Sequence, residues 1–77
     1  MDFKNILQEY PFEGTGEAYN PYAGKTQNGE WVEGTISIDF LNEHFSQYST
    51  AQEMIDATES EGLKKFFAWL RDEGILP

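Results

Sequence analysis

His44 is the single histidine of this 77-residue chain, with Glu43 beside it and Asp39 five positions before it. A histidine with acids to orient it suits a general base or a metal ligand. Metal sites need several such ligands, and the chain has no second His and no Cys. Ser, His and Asp are all present for a nucleophilic triad, but no Gly-x-Ser-x-Gly elbow occurs. A surface or half-buried His44 is the plainer expectation, and a small hydrolase built on it is the weakest of three functional readings. Ala23-Gly24-Lys25-Thr26 has the ending of a phosphate-binding loop. The pattern needs glycine where Tyr19 stands, and a helix where Asn28-Gly29 follows. Gly14-Thr15-Gly16 lacks a strand–helix setting and reads as a flexible turn. Asn20 to Glu33 lacks the alternating acids, central Gly and final Glu of a calcium loop. The expectation is no enzyme, no cofactor and no metal.

The acids are the unusual feature. Fourteen Asp and Glu face five Lys and Arg, giving a net charge of −9. No Lys or Arg lies between Lys25 and Lys64, while Glu30, Glu33, Asp39, Glu43, Glu53, Asp56, Glu59 and Glu61 all fall in that interval. Direct binding to nucleic acid or to an anionic membrane is disfavoured, because phosphate contacts need cations. A basic protein partner would be steered toward the chain. Acids three or four apart on a helix stand about 5–6 Å apart, on the scale of phosphate spacing along a strand. Glu53 with Asp56, and the group Asp56, Glu59 and Glu61, suit such an array. A solvated, soluble surface is the simpler account of the same charges.

Aromatics compensate for few aliphatics. The chain holds six Phe, four Tyr and two Trp, at 39% hydrophobic residues overall. Each aromatic buries about 150–250 Å², so a few support a small core. Stability of about 4–10 kcal/mol follows from the usual per-residue range. In size, charge and aromatic content the chain is similar in character to small phage and mobile-element inhibitors of CRISPR or restriction systems. The likeness is one of size and charge and is carried by no motif.

The elements that must position these residues can be read in order. Phe3, Ile6, Leu7 and Tyr10 share one helical face, with Asp2 as cap and Pro11 ending the helix at Glu9 or Tyr10. Pro11 to Gly24 reads as a loop with an Asn20-Pro21 turn, pinned by Phe12, Tyr19 and Tyr22. Asn28-Gly29 predicts a two-residue type I′ hairpin pairing Gln27 with Glu30, Thr26 with Trp31, Lys25 with Val32 and Ala23 with Gly34. Val32, Ile36, Ile38 and Phe40 then share the core face. Trp31, Glu33, Thr35, Ser37 and Asp39 take the other, with Tyr22 near Glu33. Leu41 to Tyr48 reads as a short helix. Thr50–Glu53 reads as a capping box before Met54, Ile55 and Ala57, and Thr58–Glu61 as a second box. The second box opens a helix with the stripe Leu63, Phe66, Phe67 and Leu70, closed by Gly74. Trp69 lies off that stripe, within reach of Lys65 for a cation–π pair or free to widen the core face.

The sequence therefore predicts an α+β fold: a small single domain over residues 1–77, an antiparallel β-hairpin packed against N-terminal and C-terminal helices. The expected function is that of a small acidic non-enzymatic binding or inhibitor protein. It would occupy the basic surface of a nucleic-acid-handling partner as a DNA mimic, through Glu30, Trp31, Glu33, Glu53, Asp56 and Glu59. The alternative is a generic interaction module gripping a helix or peptide in an apolar, aromatic groove. With no apolar run of roughly 18 residues and no basic–apolar leader, a cytoplasmic location is expected.

Overall fold

A computed structural model describes residues 1–7, 11–12 and 16–77 of the chain. The fold is α+β. Four helices, α1 (Phe3–Ile6), α2 (Ile38–Phe45), α3 (Ala51–Ala57) and α4 (Glu61–Asp72), pack with strands β1 (Pro11–Phe12), β2 (Glu17–Lys25) and β3 (Trp31–Ser37). The strands form an antiparallel sheet in the order β1-β2-β3. The predicted hairpin and flanking helices are present. The end of the N-terminal helix at Glu9 or Tyr10, and the Gly14-Thr15 part of the glycine turn, lie outside the described residues.

Helix starts follow side-chain caps. Asp2 accepts the Lys4 N–H at 3.0 Å to open α1. Ser37 accepts the Phe40 N–H at 3.2 Å, so α2 begins at Ile38 and not at Leu41, and the strand stops short of Phe40. Thr50 accepts the Glu53 N–H at 3.2 Å, and its hydroxyl donates to the Glu53 carboxylate at 3.3 Å. The cap of α4 is Ser60, which accepts from Leu63 N–H at 3.2 Å. Thr58, expected to cap it, accepts the Ser60 N–H at 3.1 Å and closes the link between α3 and α4. At the far end of α4, Gly74 N–H donates to Arg71 and Ile75 N–H to Leu70, the paired bonds of a Schellman motif. The chain then turns back, burying Leu76 in the core and bringing the Pro77 carbonyl to the Ala51 N–H at 2.9 Å.

The hairpin differs from expectation in two places. Its loop has three residues, 27–29, closed by Thr26 N–H to the Glu30 carbonyl at 2.8 Å and Gly29 N–H to the Thr26 carbonyl at 3.0 Å. Gly29 alone takes a left-handed conformation, with φ at 83°, whereas a type I′ turn would need Asn28 there as well. The Thr26 hydroxyl accepts the Glu30 N–H at 3.1 Å. Lys25 consequently pairs with Trp31 and Gly24 with Val32, one step from the predicted register.

The second difference is a bulge. Residues predicted to form a loop are strand on both sides of it. The ladder runs from Glu17↔Ser37 to Asn20↔Gly34, breaks, and resumes at Gly24↔Val32. Pro21 lies in the break, where its missing N–H costs no ladder bond. Buried Asn20 turns its side chain inward and accepts the Tyr22 N–H at 2.9 Å.

The core gathers Phe3, Leu7, Ala18, Leu41, Phe45, Ala51, Met54, Phe66, Phe67, Leu70 and Leu76. Ile36 and Ile38 pack on it as expected. Val32 and Phe40 do not join it and remain 43% and 38% exposed. Val32 sits beyond the bulge near the exposed tip, and Phe40 has been carried onto α2 by the Ser37 cap.

Two stability predictions follow. A Cβ at Gly34 would lie 2.8 Å from the Ala23 Cβ. Gly34→Ala should therefore cost about 1–3 kcal/mol in urea unfolding, partly recovered in Gly34→Ala with Ala23→Gly. Thr50→Ala should cost about 1 kcal/mol in the same assay, through loss of the α3 cap.

Candidate functional site

Trp31 is half-buried at the start of β3, over the first turn of α4. A Cβ on Gly62 would stand 3.5 Å from the Trp31 ring and 3.2 Å from the Tyr22 carbonyl, so glycine is what lets α4 approach. Tyr22, thrown out by the bulge, meets Trp31 edge-on with centroids 5.9 Å apart. Two lysines stand over the same indole, Lys25 at 5.0 Å and Lys65 at 5.8 Å from its centroid. Lys65 also lies 5.9 Å from the Tyr22 ring, and Lys25 pairs with Glu61 at 3.5 Å. Lys65 thus turns toward the hairpin and away from Trp69, whose ring stacks on Phe66 and meets Tyr19 edge-on.

Glu30 and Glu33 flank Trp31 in the hairpin, both exposed. The Glu33 carboxylate accepts the Tyr19 hydroxyl at 2.6 Å. Tyr19, predicted as a loop aromatic, takes the place beside Glu33 that sequence assigned to Tyr22, because it is Tyr19 that pairs with Thr35. The hydrogen bond to Glu33, aided by burial and the carboxylate's charge, holds the Tyr19 phenol above its ordinary 10.0.

The other three predicted residues lie elsewhere. Glu53 and Asp56 share a face of α3, one turn apart, and Glu59 is exposed in the link to α4. Asp56 accepts the Gln52 amide at 3.0 Å, and Gln52 in turn accepts from Arg71 at 3.3 Å. Helix α4 packs against both α3 and β2. The six residues therefore form two groups on elements that α4 holds together: Glu30, Trp31 and Glu33 on the hairpin; Glu53, Asp56 and Glu59 on α3 and its link.

Most of the cations are engaged locally. Lys25 and Lys65 lie over aromatic rings. Lys64 donates to the Ile55 carbonyl at 2.9 Å, capping the last turn of α3. Arg71 meets Asp72 at 3.5 Å as well as Gln52. Among the described residues, Glu30, Asp39, Glu43, Glu53, Asp56 and Glu59 have no ion-pair partner. His44 is exposed on α2, its ring 4.7 Å from that of Phe40. Among the described residues no three His, Asp or Glu side chains converge as metal ligands, and no helix is long and apolar enough to cross a membrane.

A groove opens between the hairpin, α2 and the start of α4, in the place that the alternative reading expects one, though the residues that line it were not named from sequence. Its volume is about 400 Å³, and Tyr22, Trp31, Ile36, Phe40 and Leu63 supply apolar walls above polar Asn20. The α2 start is the signal that would have found it: Ser37 as a cap moves Phe40 from strand to helix, across from Trp31.

No protein-family model, curated protein or solved structure matches the chain, so its function rests on its own residues.

The Tyr19–Glu33 bond has a spectroscopic consequence. A raised folded-state value means that the neutral phenol is favoured in the folded chain. The bond's contribution is present below the unfolded phenol's value and is lost as pH rises through the raised one. Glu33→Gln should move the Tyr19 titration down toward 10.0, read from the ultraviolet phenolate band with Tyr19→Phe as the blank.

Proposed function

We propose that this protein is a small acidic binding protein, without catalytic activity of its own, that occupies the basic surface of a nucleic-acid-handling partner. One observation carries this reading. The carboxylates of Glu30, Glu53, Asp56 and Glu59 are exposed and unmatched by cations among the described residues, while Lys25, Lys64, Lys65 and Arg71 are drawn to rings, carbonyls or nearby acids. The field outside the molecule is accordingly anionic, and a field of that kind accelerates encounter with a cationic surface. Glu53 and Asp56, one helical turn apart, present negative charge at roughly the spacing of strand phosphates. Glu53 and Asp56 stand on a capped helix, Glu30 on the hairpin and Glu59 in the short link that Thr58 closes, so their arrangement is preorganised.

A second reading is favoured by the groove. Exposed Phe40 and half-buried Trp31 face a cleft large enough for a partner's side chain, and aromatic anchors of this kind concentrate binding energy. Under it, substitutions of aromatics weaken binding and charge reversals change little.

Association kinetics with a captured DNA- or RNA-binding partner separate the two. The acidic reading predicts that the on-rate falls about tenfold or more from low to high salt, and that Glu53→Lys with Asp56→Lys slows it comparably. Duplex DNA should compete. On-rates indifferent to both salt and charge reversal would refute it.

A further inference from the structure

Two residues that line the groove follow unmatched acids in the chain. Phe40 and Ser60 line the groove, and each is preceded by an exposed acid, Asp39 and Glu59, with no ion-pair partner among the described residues. On the Trp31 side, Lys25 and Lys65 are already held over the indole, and Lys25 is paired with Glu61. Lys25 is thus matched by Glu61 and Lys65 is held over the rings, while Asp39 and Glu59, next in the chain to groove-lining residues, have no cation partner among the described residues. With a chain charge of −9, an anionic or a second identical occupant meets long-range repulsion.

Resting on the acidic reading, we propose that the groove takes an apolar side chain from a Lys- or Arg-flanked peptide segment of the basic partner. The segment's apolar residue enters between Trp31, Ile36, Phe40 and Leu63, and its cations meet Asp39 and Glu59. A volume of about 400 Å³ admits a side chain or two and excludes a folded domain, so the occupant is a protruding segment. Phe40 is the residue to probe. It is among the large apolar side chains left exposed, and its ring meets His44 and Phe45 on its own helix.

The test is selection of a random dodecapeptide library on the folded full chain, followed by fluorescence polarisation of the winning peptides. The expected result is enriched sequences that place Lys or Arg beside an aromatic or aliphatic residue. Phe40→Ser should weaken them at least tenfold, Phe40→Leu should retain most of the binding, and Asp39→Lys with Glu59→Lys should weaken them too. Circular dichroism of each variant confirms that it is folded. Cationic peptides that bind Phe40→Ser as tightly as the parent overturn the groove proposal and leave the acidic reading standing. Enriched peptides without cations, whether apolar or acidic, overturn the groove proposal, and the acidic reading then stands or falls on the salt dependence of its on-rate. Absence of any enriched sequence, or concentration-dependent self-association lost in Phe40→Ser, overturns the proposal in favour of a solvated or self-paired groove.

Discussion

A continuous run of aromatic contacts ties the sheet to the helices. From Tyr19 on β2 it passes to Trp69, Phe66 and Phe67 on α4, then to Phe45 and Phe40 on α2, with neighbouring centroids 4.8–6.3 Å apart. Each such pair adds about 0.5–1.5 kcal/mol beyond the area it buries. In a chain with one valine, these rings share the core packing with Leu7, Leu41, Met54, Leu70 and Leu76. Phe66 and Phe67 are fully buried at the middle of the run, so the placement of α4 fixes α2 and β2 together. The candidate surfaces inherit their geometry from it, since hairpin acids and α3 acids are both referred to α4.

The lysines show how an acidic chain can be stable without local neutralisation. Lys64 closes a helix end, and Lys25 and Lys65 lie over indole and phenol faces, where their stems also cover apolar surface. Each of these three lysines has a neutral partner, and Lys25 has Glu61 besides. The carboxylates then act outward. Like charges held on one small body oppose compaction, and the aromatic run supplies what offsets them.

Much of the fold was legible in short-range signals. The Leu63, Phe66, Phe67, Leu70 stripe, the Thr50 cap, the Asp2 cap and the Gly74 stop each depend on residues within a turn or so, and each is where sequence placed it. Register was less legible. Asn28-Gly29 suits two turn geometries, and the choice lay with the Thr26 hydroxyl, which takes the Glu30 N–H and lengthens the loop by a residue. Asn20-Pro21 marks a chain reversal in most settings. Here the Asn20 side chain is buried by tertiary packing and the pair becomes a bulge within a strand. Lys65 stands four residues before Trp69, and local spacing favoured that pair, but the tertiary approach of α4 to the hairpin offered Trp31 and Tyr22 instead. The acids were visible as a list and not as a surface, because which of them share a face depends on how α3 and the hairpin flank α4.

The bulge also bears on how the sheet avoids unwanted company. β1 covers only Ala18 and Glu17 of β2, which leaves the rest of that strand's outer side without a neighbouring strand among the described residues. An unprotected strand rim invites copies of the same chain to zip on and grow into fibrils. Pro21 removes a donor there, the bulge breaks the repeat of the backbone, and the Gly62 turn of α4 presses against the Tyr22 carbonyl. An incoming strand would therefore meet an unevenly spaced template along this part of β2, with α4 close against it at Tyr22.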